Sequence, residues 1–70
     1  MDKEKLKRLL NIAGLRQKDL ANILGISHVT VNGWGVTQGI PYWVESWVVN
    51  YIKAKKFDEM MELARKLEGV

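Results

Sequence analysis

This chain contains no cysteine, and it has only 70 residues from which to build a core. A domain of that size rarely gains more than about 3–5 kcal/mol from its core alone, and small proteins compensate with disulfides, a structural metal or a partner. The lack of cysteine removes disulfides, thiolate zinc sites, a cysteine nucleophile and a redox pair together. The single histidine, His28, excludes a histidine-rich metal site. Dense helix packing, a partner, or both must therefore supply the stability. The chain is also too short to enclose a substrate cleft with supporting residues behind it. A binding protein is expected rather than an enzyme, with no cofactor and no metal. Apolar residues make up 47% of the chain and charged residues 27%, a mix that suits a folded domain rather than a disordered one. One domain spanning residues 1–70 is expected.

Glycines and capping residues divide the chain into helices. Asp2 can cap a first helix in which Leu6, Leu9, Leu10 and Ala13 recur at helical spacing, and Gly14 stops it. A second helix, about Gln17 to Leu24, carries Leu20, Ala21 and Leu24 on one face and ends at Gly25. Ser27 is a good N-cap for a third helix, His28 to Gly35, with Val31 and Trp34 facing inward. Gly35 to Ile40 reads as a loop, and Pro41 suits the first turn of a helix. Tyr42 to about Ala54 presents Val44, Trp47, Val48, Tyr51 and Ile52. Lys53, Lys55 and Lys56 mark an expected break or bend, and are otherwise a solvated face. A last segment, about Phe57 to Glu68, would turn Phe57, Met60, Met61, Ala64 and Leu67 inward, the methionines filling core gaps. The pattern leaves open whether the C-terminal helices, about 42–68, are two or one. The fold class is all-α: a compact domain of four or five helices.

The charge is uneven. Residues 1–35 hold six basic and three acidic side chains, whereas residues 36–70 hold five of each, so the net +3 lies wholly in the first half. A mild basic bias of this kind fits a polyanionic partner. No stretch approaches the about 18 consecutive apolar residues of a membrane span, and MDKEKLKRLL lacks the apolar core of a secretory signal. A cytoplasmic protein that does not bind membranes is expected.

The most informative block runs from Gln17 to Trp34. Two short helices would cross through a tight turn. Ala21 allows close approach, Gly25 permits the turn, Ile26 plugs the corner, and Val31 and Trp34 anchor the third helix. His28, Val29, Asn32 and Gly33 are left on its outer face. At these residues the chain resembles the Cro and phage-repressor (XRE-type) helix-turn-helix family, which is lambda-repressor-like in fold. The family pattern is Gln, three residues, Ala, three residues, Gly, an aliphatic, Ser or Thr, two residues, Thr or Ser, an aliphatic, two residues, and Trp. Every slot is filled between Gln17 and Trp34. The strong match covers about nineteen residues from Arg16.

The resemblance implies a small prokaryotic or phage transcriptional regulator that lays its third helix in the major groove of double-stranded DNA. Ser27, His28, Val29 and Asn32 would then face base edges. A histidine can donate to guanine, a valine can meet a thymine methyl, and an asparagine can pair with adenine. Gln17, at a helix N-terminus that favours anions, would anchor a phosphate, with Arg16, Lys18, Thr30, Thr37 and Gln38 contributing further phosphate contacts. Gly33 and Gly35 depart from the family, which often carries long polar or basic side chains there. They remove two DNA contacts, and they would end the third helix early or admit a close backbone approach. No arginine or lysine lies on the recognition surface, so a shallow salt dependence is expected. Seventy residues cannot readily bury all of Tyr42, Trp43, Trp47 and Tyr51 beside Trp34. Those left over among Trp43, Trp47 and Tyr51 would form a homodimer face. The alternative function is protein–protein interaction, with the same fold using that C-terminal aromatic surface.

Overall fold

The computed structural model describes residues 1–69. Four helices follow in order: α1 (Lys3–Ala13), α2 (Gln17–Leu24), α3 (His28–Gly33) and α4 (Trp43–Glu68). The only sheet-like pairing among the described residues is an isolated bridge between Trp34 and Gln38.

The expected caps close the first three helices. The Asp2 carboxylate accepts the Lys5 N–H at 2.8 Å. Gly14 leaves α1 in the left-handed conformation at φ 73°, and Gly25 leaves α2 at φ 70°, where a side chain would be strained. Ser27 Oγ accepts the Val29 N–H at 3.1 Å and opens α3. At the start of α2, the Asp19 carboxylate reaches back to the Arg16 N–H at 2.9 Å, forming the acidic half of a capping box.

Helix α1 packs on α4, and α2 on α3. The core is wholly apolar. Leu6, Leu10 and Ala13 of α1 meet Leu20 and Ala21 of α2, Val31 and Trp34, and Val44 and Val48 of α4. Leu9, Leu15, Leu24, Ile26, Ile40, Trp47, Tyr51 and Ile52 close over it, partly buried.

Three expectations need correction. Helix α3 ends at Gly33, not Gly35, because the chain turns back at Trp34. The lysines at 53, 55 and 56 do not break the C-terminal helix. It runs unbroken for 26 residues, a length of about 39 Å at 1.5 Å per residue. The third correction follows from that length. Phe57, Met60, Met61 and Leu67 are exposed, as is Ala64, so the methionines fill no core gap. A molecule measuring 53 × 20 × 17 Å has a body too short to cover such a helix. Its burial ends near Ile52, and the rest extends as an arm.

This division makes a stability prediction. Leu6→Ala, at a fully buried site, should cost about 2–5 kcal/mol, close to everything a core of this size supplies. Leu67→Ala should change monomer stability by less than about 0.5 kcal/mol. Urea unfolding of dilute protein, followed by circular dichroism, measures both.

Candidate nucleic-acid interface

The turn between α2 and α3 is three residues long, and it sets the outer face of α3 apart from the core. Val31 and Trp34 point inward and are buried. Ser27, His28, Val29 and Asn32 are all exposed, Val29 to 79%. The side chains of His28 and Asn32 make no hydrogen bond among the described residues, so their donors and acceptors face solvent. Thr30 lies at the edge of this face, half-buried.

A helix of six residues leaves its last carbonyls without partners inside the helix. Here each finds one. The Thr30 carbonyl accepts Gln38 Nε2 at 3.4 Å. The Lys3 ammonium donates to the Val31 carbonyl at 3.2 Å and to that of Asn32 at 3.0 Å. The Gly33 carbonyl accepts the N–H groups of Val36, Thr37 and Gln38 at 3.0, 3.0 and 3.2 Å, with Thr37 Oγ1 at 3.4 Å. Gly33 and Gly35 make this possible. A Cβ on Gly33 would lie 2.8 Å from Thr37 Oγ1. Gly35 sits at φ 78°, and a Cβ there would approach the Lys3 backbone nitrogen to 3.2 Å. The glycines that depart from the family pattern are thus what let the loop and α1 close on the end of α3.

The expected phosphate residues form two groups. Arg16 and Lys18 flank Gln17 at the start of α2, while Thr37 and Gln38 lie in the loop beyond α3. Several of them have partners within the chain. Arg16 forms a bidentate pair with Asp19, Nε to Oδ2 at 3.0 Å and a terminal nitrogen to Oδ1 at 3.1 Å. That hydrogen bonding pulls the Asp19 carboxyl below its ordinary range and raises Arg16 further. Gln17 is half-buried, with its Oε1 3.5 Å from the Lys3 ammonium. Lys18 is exposed and forms no ion pair among the described residues. Thr37 and Gln38 are exposed, but their side chains already donate to α3.

Sequence reasoning missed Lys3. Its ammonium ties α1 to α2 and α3. Desolvation, and then the nearby Lys7 charge, lower its pKa. The available signal was register: Lys3 continues the Leu6–Leu10–Ala13 stripe by one more step. Lys55 was missed in the same way. Its ammonium reaches from α4 to the Ala13 carbonyl at 3.3 Å, at the C-terminus of α1, where a cation is favoured.

Trp43, Trp47 and Tyr51 are mostly engaged within the chain. Trp43 meets Trp34 edge to face, with centroids 6.1 Å apart. Trp47 stacks on Tyr51 at 5.6 Å, and both pack on the core. Tyr42 is 95% exposed. Among the described residues, no helix is long and apolar enough to cross a membrane. Compared with known families, curated proteins and solved structures, the chain matches none.

The two carboxylates with depressed pKa values give a pH prediction. Asp19 is lowered by Arg16, and Glu45 is lowered by hydrogen bonding and charge from Lys5. A carboxyl held lower in the folded than in the unfolded state contributes stability above its unfolded pKa. That contribution is lost as pH falls through the folded value. Asp19→Asn with Glu45→Gln should therefore flatten the acid limb of a stability–pH profile while leaving its neutral and alkaline parts parallel to wild type. Thermal melts across the acid range provide the check.

Proposed function

We propose that this chain is a sequence-specific double-stranded DNA-binding protein, a small transcriptional regulator that docks α3 in the major groove. It acts by binding rather than by catalysis. The observation that carries the reading is the outer face of α3. Ser27, His28, Val29 and Asn32 stand together and exposed, the His28 and Asn32 side chains without partners among the described residues and Ser27 capping the helix, on a helix whose backbone is held from behind by Lys3 and the 33–38 loop. Three of these side chains can hydrogen-bond to base edges, and the fourth suits a thymine methyl. The filled pattern from Gln17 to Trp34 supports the same reading.

Phosphate contacts then fall to Lys18, to Gln17 at the α2 N-terminus, and to Arg16, Thr30, Thr37 and Gln38 as their internal bonds allow. With Arg16 neutralised by Asp19 and Lys3 turned inward, few cations are available. The salt dependence of one head on DNA should be correspondingly shallow. The competing reading, a protein-interaction module, is favoured by the exposed apolar side chains on the far half of α4.

Selection from random duplexes followed by sequencing separates the two. A DNA reader should enrich a defined site and lose affinity as salt is raised. His28→Ala or Asn32→Ala should then relax preference at one base position by about 1–3 kcal/mol, while Gln17→Ala weakens binding to all sequences alike. If no duplex is retained even at low salt, DNA binding is wrong and the interaction reading stands.

A further inference from the structure

The Lys3 ammonium stands where α1, α2 and α3 meet. It donates to the Val31 carbonyl at 3.2 Å and to the Asn32 carbonyl at 3.0 Å, and Gln17 Oε1 lies 3.5 Å away. An ammonium has three N–H donors and no acceptor, so each donor has its own oxygen. The two shorter bonds hold the charge in place, and the Lys3 backbone is itself held close against Gly35. Gln17 therefore has a fixed cation beside its amide.

That cation decides which way the amide faces. The amide oxygen only accepts and Nε2 only donates, so the oxygen alone can turn toward an ammonium. Nε2 then diverges from Lys3 on the same planar carbon. Gln17 keeps an open side, for it lines the cleft between α1 and the start of α2 with Lys7 and Arg16. Phosphate oxygens accept hydrogen bonds, so an amide turned the other way would set oxygen against oxygen.

We infer that Lys3 is the positioning residue of the Gln17 phosphate anchor: from the first turn of α1 it holds the amide oxygen inward and so presents Nε2 to a DNA phosphate. The assignment rests on the DNA-binding reading. Lys3 acts through Gln17 rather than on DNA, since a direct phosphate contact would strip two carbonyls at the end of α3 of their donor. Without Lys3 the amide turns freely, and fixing it on DNA then costs side-chain entropy.

Lys3→Met keeps the aliphatic stem and removes the donors and the charge. Wild type, Lys3→Met, Gln17→Ala and the double variant are compared, each first checked for helix content by circular dichroism. One measurement needs no DNA. The Gln17 side-chain amide, assigned in heteronuclear NMR by its absence from Gln17→Ala, should be ordered in wild type and lose order in Lys3→Met. The other is affinity for the duplex that selection enriches and for a scrambled duplex. Each single variant should weaken both about three- to tenfold, and the double variant no more than Gln17→Ala alone. In Lys3→Met base preference should hold, and the salt slope should stay within about half a unit of wild type, since Lys3 neutralises no phosphate. An amide equally ordered without Lys3, or an affinity unchanged by its loss, overturns the assignment. So do effects that add, or a salt slope lower by about one, which make Lys3 a phosphate contact in its own right. Relaxed base preference in Lys3→Met also overturns it, since the residue would then act through α3. A wild type that holds no duplex overturns the DNA reading and the assignment with it, whereas wild-type binding with additive effects overturns the assignment alone.

Discussion

The outer face of α3 exists because four carbonyls at the end of a six-residue helix all find donors. A helix that short does not persist alone, since the cost of nucleation outweighs the few hydrogen bonds it closes. Here the bonds come from outside. Lys3 supplies a charged donor from α1, Gln38 a side-chain amide, and the 33–38 turn three backbone N–H groups directed at one oxygen. The Lys3 charge also opposes the negative end of the α3 dipole. Gly35, at a positive φ and close to the Lys3 backbone, is where glycine is required, while a Cβ at 33 would displace the Thr37 hydroxyl from its place beside the Gly33 carbonyl. The low helix propensity of Gly33 is thus offset by the donors that gather on its carbonyl.

This arrangement gives the same groups two duties. Thr37 and Gln38 are where a reader of this kind would meet phosphate, and they are also what holds the end of α3. Arg16 is where a phosphate could be neutralised, and it is bound to Asp19. On the proposed reading, engaging DNA means exchanging internal hydrogen bonds for bonds to phosphate rather than adding bonds to idle groups. The net gain per contact is smaller than a count of basic residues suggests, because each lost internal bond must be subtracted.

The elements set by local chemistry were legible in the sequence. Asp2, Gly14, Gly25 and Ser27 act on their nearest neighbours, so the bounds of α1 and α2 and the start of α3 could be read directly. The exposed placement of His28, Val29 and Asn32 followed from the inward positions of Val31 and Trp34. Features that depend on distant segments were not legible. Lys3 and Lys55 look like solvent-facing lysines until α3 and the end of α1 are placed beside them. The end of α3 at Gly33 is set by the loop that folds back on it. Phe57 to Leu67 show the clearest limit. Helical periodicity reveals that a face is apolar but not what covers it, and in one chain of this size the body ends too soon to do so.

Charge placement limits how tightly one head could hold DNA on the proposed reading. Three of the six basic side chains in its first half are engaged within the chain. Lys5 pairs with Glu45, Arg16 with Asp19, and Lys3 turns under α3. On the proposed reading a single head on DNA would then be weakly held, because few cations remain free to meet phosphate.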